Sequence, residues 1–392
     1  MDRDERPYDI VLLGATGFAG RLTAEYLART APASVRWAIA GRTHAKLDAV
    51  RQNLAAIDPA LAELPLLTAD VEDPASVRTV VEQARALVTT VGPYALYGEA
   101  VVAACAAAGT DYLDLTGEPE FVDTTYARHH RTAQASGARL IHSAGFDSIP
   151  HDLGAFFTVL QLPEDVPLRV AGYVRASAAI SGGTLYSALT AFGRLRQNLT
   201  AARARRAAEG PNTSSRSVHA RAGRPGRDPI NGGWALPFPS LDPQVVSRSA
   251  RALERYGPSF DYTHHISVAH LPSAVALPLG MTALVGAAQI PPVRRALSNR
   301  LAPGDGPSQD KRSASWFTVS FVGEGGGTHV VTRVSGGDPG YDETAKMLGE
   351  SALCLALDDL PVTSGQVTPV TAMGQALITR LNAAGITFEV LR

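Results

Sequence analysis

Residues 8–27 confine this chain more tightly than any other stretch. Ile10 to Leu13 is a short apolar run of the kind that forms a buried parallel strand. It stops at Gly14, and glycines recur at positions 17 and 20. Phe18, Leu22, Tyr26 and Leu27 follow at helical spacing. Strand, glycine turn and helix in that order make the setting a dinucleotide-binding turn requires. Gly14 serves a tight turn, Gly17 lets a pyrophosphate approach bare backbone, and Gly20 lets helix and strand pack closely. The helix start offers free N–H groups and the positive end of a dipole to a phosphate. The spacing is GxxGxxG, one residue longer than the common GxGxxG turn.

Strand and helix patterns alternate regularly from there. Strands are expected at Val35 to Gly41, Leu64 to Thr68, Ala86 to Val91, Tyr112 to Leu115 and Arg139 to Ser143. Helices are expected at His44 to Leu54, from Asp73-Pro74 to Gln83, at Gly98 to Ala108, and at Glu118 to Ser136. Asp73-Pro74 is a good cap and first-turn pair. Six strands with helices between them predict an α/β, doubly wound parallel sheet of Rossmann type over residues 1–150. A chain of 392 residues needs a second core, expected as an α+β substrate domain over 151–340. The helical patterns of Tyr341 to Leu357, strongly amphipathic, and Thr371 to Ala384 are expected to pack back on the first domain.

The end of the second strand selects the nucleotide. An NAD site would carry an acid there for the ribose 2′-OH. This chain has Gly41-Arg42-Thr43, with Lys46 one turn later. A guanidinium can hold a 2′-phosphate through paired hydrogen bonds, so NADP(H) is the expected cofactor. Asp70 could sit near the adenine or be a solvated loop acid. Ligands of such sheets lie beyond the carboxyl ends of the strands. There the chain places Gly92-Pro93-Tyr94, Gly117-Glu118 and the run His142 to Gly154. The candidate cofactor contacts are Gly14, Thr16, Gly17, Phe18, Gly20, Arg42, Lys46, Gly92, Pro93 and Gly145. Tyr94, His142, Asp147 and His151 are the candidate catalytic groups, with Gly145-Phe146-Asp147 and Gly117-Glu118 as a floor. Helix capping is the competing reading for Asp147 and Asp152, and rim packing for Tyr94 and Tyr97.

These stretches resemble the saccharopine dehydrogenase-like superfamily, in particular its bacterial branch of trans-acting enoyl reductases. The resemblance rests on Gly14-Ala-Thr-Gly-Phe-Ala-Gly20, Ala40-Gly-Arg42, Val91-Gly-Pro-Tyr94, Tyr112-Leu-Asp-Leu-Thr-Gly-Glu118 and Gly145-Phe-Asp-Ser-Ile-Pro150. Gly337-Asp-Pro-Gly-Tyr341 and Thr368-Pro-Val-Thr-Ala-Met-Gly374 extend it over most of the chain. It implies a Rossmann domain, a second α+β domain and NADP(H) in the cleft between them. It carries no catalytic residue over to this sequence. An arginine set for amino-acid carboxylates is not evident, which ranks saccharopine itself low as a substrate.

The remainder is less legible. The near-balanced charge of −1 argues against nucleic acid as a partner. Cys105 and Cys354 form no metal spacing and suit a reducing compartment. The charged N-terminus is no signal peptide, so a cytoplasmic location is expected. Leu168 to Ala176 reads as a strand, and Gly182-Gly183 opens a helix over Thr184 to Ala208. Its arginine-rich second half is a solvated face or a docking surface for an acidic carrier protein or anionic lipid. The stretches 210–230 and 301–312 read as flexible loops. His264 and His265 lie in the expected strand Ser259 to Val268. Neighbours on a strand face opposite ways and no third ligand has suitable spacing, so no metal is expected. Leu271 to Ile290 reads as a buried or substrate-lining helix, with a segment resting on lipid as the alternative. Ser315 to Val322 and Thr328 to Ser335 read as a hairpin that roofs the cleft.

The expected function is an NADPH-dependent oxidoreductase reducing an activated C=C, such as an enoyl thioester, in lipid or polyketide metabolism. A C=N or C=O reductase and a non-catalytic NADP-binding protein on a lipid surface are the alternatives. The short-chain dehydrogenase YxxxK pair is absent, because Lys46, Lys311 and Lys346 are the only lysines and none follows a tyrosine by four. The expected partners are a small or acyl-thioester substrate, a carrier protein, a membrane surface touched peripherally, and a second copy in a homodimer.

Overall fold

The computed structural model describes residues 3–177, 193–210, 216–290, 292–293 and 306–392. The first sheet contains β1 (Tyr8–Leu13), β2 (Trp37–Gly41), β3 (Leu66–Thr68), β4 (Ala84–Thr89), β5 (Asp111–Leu113) and β6 (Arg139–Ile141). Their order is 3-2-1-4-5-6, all parallel, with the reversal beside β1 that places ligands in such sheets. The alternating pattern of the sequence therefore folds as its period demands.

Helices connect these strands: α1 (Phe18–Thr30), α2 (His44–Ala55), α3 (Pro74–Val81), α4 (Tyr94–Tyr97), α5 (Glu99–Ala108) and α6 (Pro119–Ser136). Asp73 caps α3 as its sequence predicts, accepting from the Ala75 amide at 3.0 Å. Side chains alternate between the faces of the sheet. Val11, Leu13, Ala38 and Leu87 meet Val77, Val80, Val102 and Cys105 on one side. Ile10, Leu12, Ile39 and Ile141 begin a second core on the other.

That second core runs through α7 (Ile149–Leu160) into another sheet. The second sheet holds β7 (Leu168–Ser177), β8 (Ser217–Ala222), β9 (Gly226–Arg227), β10 (Trp234–Pro237), β11 (Ser259–Val268), β12 (Trp316–Gly325) and β13 (Thr328–Gly336). It is mixed: β11 runs parallel to β7 and β8, while β12 and β13 run antiparallel to their neighbours. The hairpin turns on Gly326 and Gly327, both at positive φ, and its strands run further into the glycines than the alternation indicates.

The remaining helices are α8 (Leu195–Glu209), α9 (Asp242–Ala252), α10 (Leu271–Ala288), α11 (Gln309–Ser313), α12 (Asp342–Leu357) and α13 (Pro369–Ala383). The last 50 or so residues return to both sheets: β14 (Gly365–Val367) adds a seventh parallel strand beside β6, and β15 (Thr387–Val390) pairs with β13. Helix α12 packs on α1 and α13. It is buried on nearly every side rather than along one stripe, because Gly349 lets it approach the Tyr26 ring closely.

Three expectations are corrected. Part of the 210–230 loop is strand: β8 pairs along β11, whose backbone supplies a ladder that arginine-rich composition does not reveal. Within 301–312, α11 begins at Gln309, while 301–305 lie outside the described residues. Helix α10 is not buried by the rest of the chain: Val275 is 55% and Leu279 66% exposed, although a helix apolar all round belongs in a core or among lipid. The Gly182-Gly183 helix start also lies outside the described residues, and only α8 represents that helix.

Helix α7 fits between the sheets only because residue 154 lacks a side chain. A Cβ there would run into the Phe321 ring and the Val334 methyl. Gly154→Ala is expected to destabilise the fold by about 1–3 kcal/mol, as overpacking does. Gly280 in α10 has open space around it, so Gly280→Ala should stabilise by roughly 0.5–1 kcal/mol. Urea-unfolding midpoints of the two variants check both signs.

Candidate active site

The strand ends of the first sheet form a row. In sheet order, β6, β5, β4, β1 and β2 end in turns whose exposed positions include Asp147, Gly117, Gly92, Gly17 and Arg42. Around them the turns are packed and tied.

At the centre, Gly14 has φ +92° and its carbonyl accepts from the Gly17 amide at 3.0 Å. A Cβ at Gly20 would run into the Gly14 carbonyl, so helix α1 needs glycine there to reach the turn. Gly17 is different, since protein atoms leave room for a Cβ and its bareness faces outward. No side chain caps α1 and no acid stands in its first turn. Its leading N–H groups are the usual unsatisfied donors of a helix start, turned toward an anion. Thr16 is half-buried beside them. Phe18 packs edge-on against Tyr341, ring centroids 4.8 Å apart, and lies under the Arg312 guanidinium.

Arg42 and Lys46 are both exposed, one turn apart at the start of α2, and neither has an acidic partner among the described residues. Asp70 turns away, its carboxylate accepting from the Glu72 amide in its own loop. Gly92 and Pro93, joined by a cis peptide bond, follow β4. Glu118 holds that turn: its carboxylate accepts from the Tyr94 amide at 3.0 Å and the Ala95 amide at 2.9 Å. This is a cap on α4, so Glu118 has no free oxygen pair for proton transfer. Gly145 is buried between Leu115 and Thr344 and serves packing rather than an open surface.

The four candidate catalytic groups are not together. The Tyr94 hydroxyl donates to the Thr89 carbonyl at 3.1 Å and accepts from the Leu115 amide at 3.2 Å. Burial holds its pKa well above the phenol value. His142 is buried with both ring nitrogens engaged, Nδ1 on Asp114 at 2.6 Å and Nε2 on Thr125 at 3.1 Å. Asp114 also accepts from Tyr112, Thr116 and Ser143. Tyr94 and His142 therefore brace the strand ends from within.

Asp147 alone of the four reaches the open row. It precedes α7, whose first turn carries Pro150, but its side chain does not cap that helix. Its carboxylate lies over Gly117, where a Cβ would come within 3.1 Å of Oδ2. It is solvent-accessible yet set deep among protein atoms. That loss of surrounding water, then the nearby Asp242 carboxylate, push its carboxyl up to about 7.

His151 is buried in the first turn of α7. Burial pushes its imidazole down to about 4. It meets Asp242 and His264, and one ligand atom from each of the three lies within 4.8 Å of the others. Sequence spacing offered His264 no such company, because its neighbours come from α7 and α9, distant in the chain. His265 does face the other way, stacked on Tyr173. Only a buried histidine on an apolar strand hinted at the cluster.

Comparison with known proteins accords with this arrangement. Residues 10–141 match the family model described as the saccharopine dehydrogenase NADP-binding domain. A candidate trans-acting enoyl reductase of Mycobacterium tuberculosis is 37% identical over 100% of this chain and 99% of its own length. Trans-acting enoyl reductases of Mycobacterium bovis and Mycobacterium ulcerans are 34% identical, covering 100% of both chains. Apo saccharopine dehydrogenase (L-Glu forming) of Saccharomyces cerevisiae shares the fold, with a TM-score of 0.56 at 12% identity over 98% of this chain and 100% of that one. The chain belongs to the trans-acting enoyl reductase family, and its cofactor domain, which takes NADP(H), is that of saccharopine dehydrogenase.

Proposed function

We propose that this chain reduces the C=C of an enoyl thioester with NADPH, in the row of turns from Arg42 to Asp147. The observation that carries the reading is the row itself, five exposed positions in sheet order between a basic end and a protonatable end. In this reading Arg42 and Lys46 hold a 2′-phosphate, the latter as a point charge. Gly17 and the start of α1 take the pyrophosphate, and Gly92 lies beside the nicotinamide ribose. Gly117 leaves the floor bare under the reacting carbons. Bound NADPH supplies the hydride for the electron-poor carbon of the substrate. Asp147 delivers the proton to the neighbouring carbon, since no other titratable side chain of the row is open at that end. This reading divides the chain into a cofactor part, 1–150 with 341–392, and a substrate part, 151–340, with β15 of the last segment crossing to pair with β13 of the second sheet.

That the relatives are trans-acting enoyl reductases supports a substrate presented by a separate carrier protein. Arg196, Arg203 and Arg206 on α8 suit an acidic carrier: they are exposed and spaced for one helix face. Arg194 and Arg205 are already tied to Glu120 and Asp123 on α6. A second feature favours contact with lipid. Helix α10 has a mean hydropathy of 1.6 over 18 residues and is long and apolar enough to cross a membrane, yet it lies exposed. A helix of this kind at an interface buries its apolar side among acyl chains.

Arg42→Ala is expected to weaken NADPH binding about 10- to 100-fold, the value of a charge-assisted pair, and to leave NADH unchanged. Fluorescence titration with both nucleotides checks this, and equal losses for the two would sink the assignment. Asp147→Asn should lower kcat on an enoyl-thioester substrate by about 100-fold or more while NADPH affinity holds. Full turnover in that variant would remove Asp147 from the chemistry, and no NADPH oxidation by the unaltered protein across enoyl thioesters would remove the reaction. Flotation with anionic liposomes should carry the protein upward, and Leu279→Asp should leave it at the bottom of the gradient. Equal flotation of both forms would take α10 out of any lipid contact.

A further inference from the structure

We propose that His151, Asp242 and His264 form a site for a divalent transition metal of the Zn²⁺ type, at the junction of α7, α9 and β11. Nothing in the reduction reading requires such a site, and binding of Zn²⁺ is tested without reference to turnover.

The geometry is that of a ligand set. His151 Nδ1 lies 3.5 Å from Asp242 Oδ1, and His264 Nε2 lies 3.4 Å from Asp242 Oδ2. Neither nitrogen has a hydrogen-bond partner, although both are inside the protein and aimed at the carboxylate. Side chains that merely hydrogen-bond would close to about 2.8 Å, as charge-assisted pairs do. Around a tetrahedral Zn²⁺ with bonds of about 2.1 Å, adjacent ligand atoms stand about 3.4 Å apart. Each nitrogen thus stands about that far from one oxygen of the Asp242 carboxylate, and one ligand atom of each side chain lies within 4.8 Å of the others, close enough to converge on one cation.

The surroundings fit as well. The other ring nitrogen of His264, Nδ1, lies 2.9 Å from the Tyr262 hydroxyl, the outer-shell contact that turns a histidine toward a metal. The Ser240 hydroxyl donates to Asp242 Oδ2 at 2.6 Å and orients the carboxylate. Phe146 meets the His151 ring edge-on, and Phe238 stacks on His264, so aromatic rings close the cluster against water. Two imidazoles and one carboxylate are an N/O set that suits Zn²⁺ and its neighbours rather than Ca²⁺ or Mg²⁺. Three protein ligands leave one tetrahedral position for a water or a further group. Since His151 follows Asp147 by one helical turn, a bound metal would fix the loop that carries Asp147 toward the row.

The test is binding of Zn²⁺ alone to full-length protein stripped with chelator and dialysed, measured by competition with a chromophoric chelator. One equivalent should bind, and Co²⁺ in its place should give the visible absorption of a four-coordinate N/O site. Asp242→Asn and His264→Ala should each raise the Zn²⁺ dissociation constant by about 100-fold or more, beyond the loss typical of an outer-shell change. Tyr262→Phe keeps the ring and should cost about 10-fold. Circular dichroism sorts folded from unfolded variants, and the Co²⁺ spectrum of the unaltered protein decides the matter if the ligand variants do not fold. Absence of Zn²⁺ binding, absence of the Co²⁺ band, or binding unchanged in all folded variants overturns the proposal.

Discussion

The Asp152 carboxylate sits fully buried where three elements meet, and the relation between the two sheets depends on it. One oxygen accepts from the Ser249 hydroxyl of α9 at 2.6 Å, and the other accepts from the Val370 amide at the start of α13 at 3.1 Å. A buried carboxylate without such partners would be costly, so this residue fixes α7 against both helices at once. Thr368 completes the knot, bonding to Ser249 and capping α13 through the Thr371 amide. The residue before it on α7 is His151, and just before the helix stands Asp147. The placement of the open carboxyl is therefore inherited from contacts on the far side of its own helix.

Much of the first sheet was legible because its signals are local. The glycine turn, the Asp73-Pro74 cap and the strand–helix alternation each act within a few residues, and the structure repeats them with shifts of one to three residues. The basic end of strand two was legible for the same reason. In the second sheet β7, β11 and the β12–β13 hairpin were legible one by one, but their order was not, since β7 pairs with β11 and β12, strands contributed from distant parts of the chain. Pairing of that kind leaves no mark in local spacing. The same limit hid Asp242, whose neighbours His151 and His264 come from two other elements. Helix α10 misled in a different way: apolar composition measures a preference for leaving water, not which surface receives it.

The polar crowding read around strands five and six divides, in three dimensions, into groups that build and one that is open. A buried hydroxyl or imidazole that satisfies two partners lowers its own energy by staying put. Tyr94 and His142 are of this type, and Glu118 spends both oxygens on the amides of α4. Their residue types suggested acid–base chemistry, and their partners assign them to holding three strand ends in register. Asp147 differs because its surroundings withhold partners: it faces glycine on one side and Asp242 beyond. A carboxyl set deep among protein atoms, with no donor beside it, keeps its proton to higher pH even where one edge meets solvent.

The contrast extends to the glycines. Gly20, Gly145 and Gly154 are bare because protein fills the space a side chain would need. Gly17, Gly92 and Gly117 are exposed at strand ends, and at Gly17 and Gly92 the nearest protein atoms leave ordinary contact distance for a Cβ. Glycine at such a place serves nothing in the fold itself, and its conformational freedom is lost on folding with no packing in return. In the proposed reading the cofactor uses that space. Gly17 and Gly92 lie on the adjacent strands β1 and β4, with Arg42 beyond one end and Gly117 and Asp147 beyond the other, an arrangement that suits an elongated ligand anionic at one end and reactive at the other.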